Sequence, residues 1–123
     1  MFWKKENTEK TASVNWQKLD RLEQLSEIKE ESKHQPVMIF KHSTRCGVSG
    51  MALGRLEREW NEELVRIKPY YLDLISFRQI SNAIESEFGV YHESPQMILI
   101  EDGKAVYDAS HMAIGVEKLK NWA

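Results

Sequence analysis

Apolar positions along the chain alternate between a helical rhythm and short continuous runs. Leu19, Leu22, Leu25 and Ile28 recur at helical spacing, with Asp20, Glu23, Glu27, Lys29 and Glu30 outside the stripe; this predicts an amphipathic helix with a solvated charged face. Residues 36–41 carry the unbroken run Val37-Met38-Ile39-Phe40, the pattern of a strand covered on both faces. Val48, Ala52, Leu56, Trp60 and Leu64 then step by four and predict the buried stripe of a second helix beginning near Cys46. Gly50 and Gly54 share another stripe, which predicts a close approach of that helix to the sheet. A strand is expected within residues 65–74, centred on Tyr70-Tyr71-Leu72, with Pro69 at its start because proline cannot donate to a ladder. Ser76 and Gln79 have the spacing of a capping box, Phe77, Ile80, Ile84 and Phe88 form a third helical stripe, and Gly89 suits its end. Residues 96–100 read as a buried strand and residues 105–107 as its return, joined by Glu101-Asp102-Gly103-Lys104 with Asp-Gly at the centre of the turn. Val116, Leu119 and Trp122 close the chain with a short helix, Gly115 standing near its N-cap.

A short strand at residues 14–16 completes the order β-α-β-α-β-α-β-β-α. Alternation predicts an α/β fold with right-handed crossovers, strand 36–41 flanked by parallel neighbours, and a C-terminal antiparallel hairpin. Residues 4–13 are polar and aperiodic, so residues 1–13 read as a flexible N-terminal tail and residues 14–123 as a single domain.

Composition adds mainly exclusions. At 123 residues, 41% hydrophobic and 29% charged, the chain can build a proper core in one domain. A formal net charge of −2 gives no electrostatic argument for nucleic acid or an anionic membrane as partner. The apolar runs are too short to span a bilayer, and the first seven residues lack the apolar core of a signal peptide. One cysteine excludes an intrachain disulfide and suits a reducing compartment, so the expected location is the cytoplasm. His34, His42, His92 and His111 have no zinc-ligand spacing with it, and no metal is expected.

That cysteine carries the chemistry. Cys46 stands where strand 36–41 runs into a helix, and in a first turn the free N–H groups and the macrodipole favour the thiolate, the nucleophile of disulfide exchange. The competing reading is a small buried hydrophobe. Ser49, three residues on, could donate to the thiolate or solvate the helix start. Arg45 could stabilise the anion or face solvent. Thr44 caps or orders the loop. His42 is the nearest histidine in sequence to Cys46, and could serve as a base or as a loop-packing residue. Asp73, at a strand end, could orient water near the site or simply be solvated.

The element order, with a cysteine after the second strand and a proline before the fourth, resembles the thioredoxin fold: a mixed central sheet of parallel strands plus an antiparallel C-terminal hairpin, flanked by helices. More narrowly, Thr44-Arg45-Cys46-Gly47-Val48-Ser49 together with Glu93-Ser94-Pro95-Gln96 is similar to the monothiol bacilliredoxins of the bacillithiol system. The resemblance covers residues 14–123. It implies a monothiol thiol-disulfide oxidoreductase that takes bacillithiol from S-bacillithiolated proteins onto Cys46, from which an external low-molecular-weight thiol releases it. Bacillithiol would be a co-substrate, with no tightly bound cofactor. The second cysteine of dithiol thioredoxins would stand at Ser49, so this chain cannot resolve its own mixed disulfide. Arg45, Gly47, Ser49 and Thr44 are the expected thiolate-stabilising positions. The resemblance also implies a cis peptide at Pro95, with the Ser94 backbone free to pair with an extended substrate.

Two other functions fit parts of the pattern. Cys46-Gly47-Val48-Ser49 resembles the Cys-Gly-Phe-Ser of monothiol glutaredoxins, which share an iron–sulfur cluster across a dimer. The Gly-Gly pair those proteins carry after the last strands is absent, and Asp108-Ala109-Ser110-His111 stands instead. A non-enzymatic thioredoxin-like module could use the Ser94 edge to hold a peptide.

Overall fold

The computed structural model describes residues 14–123; the tail expected at residues 1–13 lies outside them. The described residues form a five-stranded sheet in the order β1-β3-β2-β4-β5, where β1 is Gln17–Lys18, β2 Val37–His42, β3 Lys68–Asp73, β4 Gln96–Glu101 and β5 Lys104–Ser110. Three α-helices accompany it: α1 (Gln24–Glu31), α2 (Gly47–Glu59) and α3 (Arg78–Phe88). The closing segment Lys118–Trp122 is a 3-10 helix with Glu117, not Gly115, at its N-cap. The first strand lies just beyond the expected residues 14–16; Val14 and Trp16 pack on the core while Gln17 and Lys18 pair in parallel with Tyr70 and Tyr71.

β2 is buried along its whole length and organises both layers. Side chains alternate across a strand, so Val37 and Ile39 join one core cluster with Leu25, Ile28, Leu72, Ile80 and Ile84, while Met38 and Phe40 join the other with Ala52, Leu56, Trp60 and Leu64. The expectation of two parallel neighbours for β2 is half corrected. β3 runs parallel to it, but β4 runs antiparallel, with Lys41 opposite Gln96. The connection at residues 89–95 returns the chain to the edge where β2 ends, so β4 enters beside the β2–α2 loop. A parallel β4 would have begun at the far edge.

Local corrections have simple causes. Leu22 precedes α1 and is exposed. Val48 is exposed because it lies off the face of α2 turned to the sheet; the buried positions of the helix are Ser49, Ala52 and Leu56. A Cβ on Gly50 would meet nothing within 4 Å and one on Gly54 only Arg58 Nη1 at 4.0 Å, so neither glycine mediates the expected close approach. The Ser76–Gln79 capping box does not form. Phe77 is the N-cap of α3, without a side-chain cap, and Asp73 orders the turn by accepting from the Ile75 and Ser76 N–H groups and the Ser76 hydroxyl. Gly89 ends α3 with φ of 68°, in the left-handed region. Asp102 and Gly103 both have positive φ, as the Asp-Gly hairpin turn requires, and both N–H groups bond Ser32 at the end of α1.

Candidate active site

The fold gathers the chemistry at one sheet edge, where β2 ends, α2 begins and β4 starts. Cys46 is the N-cap of α2, just outside the first turn, with extended backbone (φ −114°, ψ 121°). Its N–H donates to the Ser43 carbonyl at 3.1 Å, and its own carbonyl accepts from Gly50 N–H at 3.2 Å. The thiol is free and half-buried. It therefore has access to solvent while standing among the unpaired N–H groups that open the helix, a setting for an anion.

Ser49 is wholly buried beneath the helix start. Its Oγ accepts the Ser43 N–H at 3.0 Å and lies 2.7 Å from His42 Nδ1. Both roles considered for this serine thus have a defined competitor: the hydroxyl is already engaged by the loop that carries Cys46. His42 is the residue that sequence reasoning undervalued. It is buried at the end of β2, its ring 6.0 Å from Phe40 and 5.6 Å from Tyr71 between centroids. Burial pushes its pKa below the ordinary histidine value, partly opposed by the Asp73 and Glu57 carboxylates. A neutral ring can accept the Ser49 proton; a ring protonated at Nδ1 would return it.

Thr44 and Arg45 are exposed, and among the described residues neither side chain makes a hydrogen bond or ion pair. The ordering expected of Thr44 is instead done by Ser43 and Ser49. Gly47, the first residue of α2, is exposed with open space where a Cβ would stand.

Across the edge, the Ser94–Pro95 peptide is cis, Pro95 is buried, and its carbonyl accepts from His111 N–H at 3.2 Å. Ser94 takes part in no hydrogen bond among the described residues, and its Oγ is buried without a partner. The β2–β4 register sets Pro95 one residue before the Lys41–Gln96 pair, beside the end of β2 at His42, from which the loop to Cys46 departs. Val48 and Met51 on α2, Met112 in the 3-10 turn His111–Ala113 beside α2, and Tyr91 present exposed apolar surface at this end.

The second buried group that the sequence hid is Lys41. Its side chain is fully buried, with Nζ 2.7 Å from His92 Nδ1 and donating to Gln96 Oε1 at 3.0 Å. Burial lowers its pKa from 10.5 to about 8, against the raising effect of Glu85 and Glu93. The signal was the alternation of β2 itself, which carries the buried pattern one step past Phe40 on each face.

Solved structures share this architecture. A proposed oxidoreductase with a thioredoxin fold is 29% identical over 86% of this chain and 91% of its own, with a TM-score of 0.74. Thioredoxins from Malassezia sympodialis and Fasciola hepatica superpose with TM-scores of 0.66 at 15% and 17% identity. The alignments cover 90% of this chain and 89% of the first, and 85% and 93% for the second. Fold and site together define a thiol-disulfide oxidoreductase with the thioredoxin fold. Residues 17–119 match the family described as monothiol bacilliredoxin BrxC, and the chain belongs to that family.

Proposed function

We propose that this protein removes bacillithiol from S-bacillithiolated proteins. The observation that carries the reading is the placement of the chain's single cysteine at the N-cap of α2, on the sheet edge shared with Ser94 and Pro95. The Cys46 thiolate attacks the bacillithiol sulfur of the mixed disulfide. A new S–S bond forms on Cys46, the old one breaks, and the client cysteine leaves as thiolate. No net electron is gained or lost. With Ser49 three residues on, no second sulfur completes a ring, so the adduct persists until an external thiol attacks it.

The protein's own residues supply the remainder. Cys46 stands at the helix N-terminus, Ser43 and Ser49 fix the loop that carries it, and Arg45, free of other partners among the described residues, can reach an anionic small thiol. Ser94, without a hydrogen bond of its own, can pair with an extended client backbone. The exposed Val48, Met51, Tyr91 and Met112 suit contact with a protein surface. Protein mixed disulfides and a low-molecular-weight thiol are the partners in this reading, bacillithiol is a co-substrate, no bound cofactor is needed, and the reducing cytoplasm is the setting.

The test mixes reduced protein with a bacillithiolated model substrate and follows both intact masses. One bacillithiol should leave the substrate and one should appear on Cys46. Loss from the substrate without that adduct, or equal activity of Cys46→Ala, would reject the reading. An iron–sulfur absorbance in freshly isolated protein would point to the cluster-carrier alternative.

A further inference from the structure

A fully buried lysine at the end of a central strand calls for a physical reason. Removing an ammonium from water is costly, and an apolar side chain of similar length would fill the same space without that cost. Lys41 lies on the face of β2 toward α3, opposite to the face on which His42 meets Ser49. Among the described residues its polar contacts lead to one place, the segment at residues 91–96. Gln96 Oε1 accepts from Lys41 and also from the Glu93 N–H at 3.4 Å, while Gln96 Nε2 donates to the Tyr91 carbonyl at 2.9 Å. His92 Nδ1 meets Lys41 directly, with Ser81 Oγ at 3.5 Å. One buried amine and one buried carboxamide thereby tie down Tyr91, His92 and Glu93, whose side chains are otherwise exposed. Ser94 and Pro95 are carried between these tied residues.

We propose that Lys41 is the positioning residue of the substrate loop: through Gln96 and His92 it holds residues 91–96 so that Ser94 and Pro95 face the disulfide at Cys46, and its protonation sets how firmly that loop is held. The proposal rests on the reading of this edge as the exchange site. The charged groups around the amine are Glu85 on α3 and Glu93 in the loop, with His92 in contact and Arg78 of α3 acting on His92. Burial, Lys41 and Arg78 push the His92 pKa below the ordinary value. In neutral to mildly alkaline solution Lys41 is therefore the group of this cluster that changes charge, with its midpoint at about pH 8. Below that midpoint the ammonium donates to Gln96 and His92 and attracts both carboxylates. Above it the amine stays buried but uncharged: the fold as a whole is relieved of a buried charge, while the loop loses the attraction to the carboxylates and keeps only the neutral amine's hydrogen bonds, so KM for a mixed-disulfide protein should rise.

Two measurements test this. Backbone amide shifts of Tyr91, His92, Glu93 and Ser94 in the wild-type protein should titrate together with a midpoint near pH 8, and the titration should vanish in Lys41→Met. With the bacillithiolated model protein, Lys41→Met and Gln96→Leu should each raise KM about 10-fold, with kcat and the rate of Cys46 alkylation by iodoacetamide within about 2-fold of wild type. Wild-type amides without that common titration would overturn the proposal, and this holds even if the variants fail to fold. A folded Lys41→Met with unchanged KM, or with alkylation slowed in step with KM, would overturn it too. A wild-type protein that forms no bacillithiol adduct would reject the exchange reading instead, and the amide titration would still report on the lysine's hold over the loop.

Discussion

Ser49 shows how one side chain can fasten two elements at once. Its oxygen accepts the Ser43 N–H and pairs with His42, so it fastens the end of β2 to the start of α2. Ser49→Ala would leave a buried N–H without an acceptor and a buried ring nitrogen without its partner. A loss of about 1–3 kcal/mol is expected, read by denaturant unfolding, with slower bacillithiol transfer. Cys46→Ala should abolish transfer while leaving the midpoint of unfolding close to wild type, because the thiol makes no hydrogen bond that caps the helix. If Ser49→Ala stopped transfer as completely as Cys46→Ala without any loss of stability, the serine would be a chemical participant more than a fastener. At this scale the sequence announced the cysteine at the helix start and the cis proline opposite, because their types are rare in such settings. Lys41 and His42 were hidden, since a charged residue and a histidine at a strand end ordinarily mark the place where a chain meets water.

Among the elements, continuous apolar runs were the most readable and helix ends the least. β2 and β4 were legible because burial on both faces makes residues 37–40 and 97–100 unbroken apolar runs. Helix starts depended on side-chain partners that lie several residues away in space. Asp73, not Ser76, orders the entry to α3, and α2 begins one residue after Cys46 with Ser49 rather than Val48 on its buried face. The direction of β4 could not be inferred from alternation, since the hydrophobic period marks α3 but not the path that residues 89–95 take before β4 begins. Two substitutions test these element ends. Gly89→Ala forces a Cβ into a left-handed residue and should cost about 1 kcal/mol. Asp73→Ala removes three hydrogen bonds from the turn before α3 and should cost about 1–2 kcal/mol. Chemical denaturation measures both, and a neutral Asp73→Ala would mean that the turn is held by packing alone.

The whole molecule joins these features in its dependence on pH. His42 and His92 have folded-state pKa values below the ordinary one, so the unfolded chain binds more protons as pH falls below about 6.5, and stability declines on that side. Lys41 has the same sign higher up the scale. Its folded pKa of about 8 lies below the ordinary 10.5, so between these values the unfolded state holds a proton that the folded state has released, and stability rises with pH. Tyr70, Tyr71 and Tyr107 act oppositely: their folded pKa values are raised, chiefly by burial, so they withdraw stability as pH climbs above about 10. Lys68, raised by its hydrogen bond to Glu31, adds to that alkaline loss. The sum predicts an optimum displaced toward pH 9–10, well above the sequence pI of about 6.1 and above the usual range of maximal stability, roughly pH 5 to 8. Between about pH 8 and 9.5 the gain from Lys41 is expected to be at most roughly 2 kcal/mol, from the energetic equivalent of a displaced pKa. Urea unfolding at a series of pH values reads it directly. Lys41→Met should flatten the curve across that interval while leaving the acid limb in place, because the two histidines remain. A wild-type curve that already falls between pH 8 and 9.5 would mean that the buried amine keeps its proton, and with it the loop it holds.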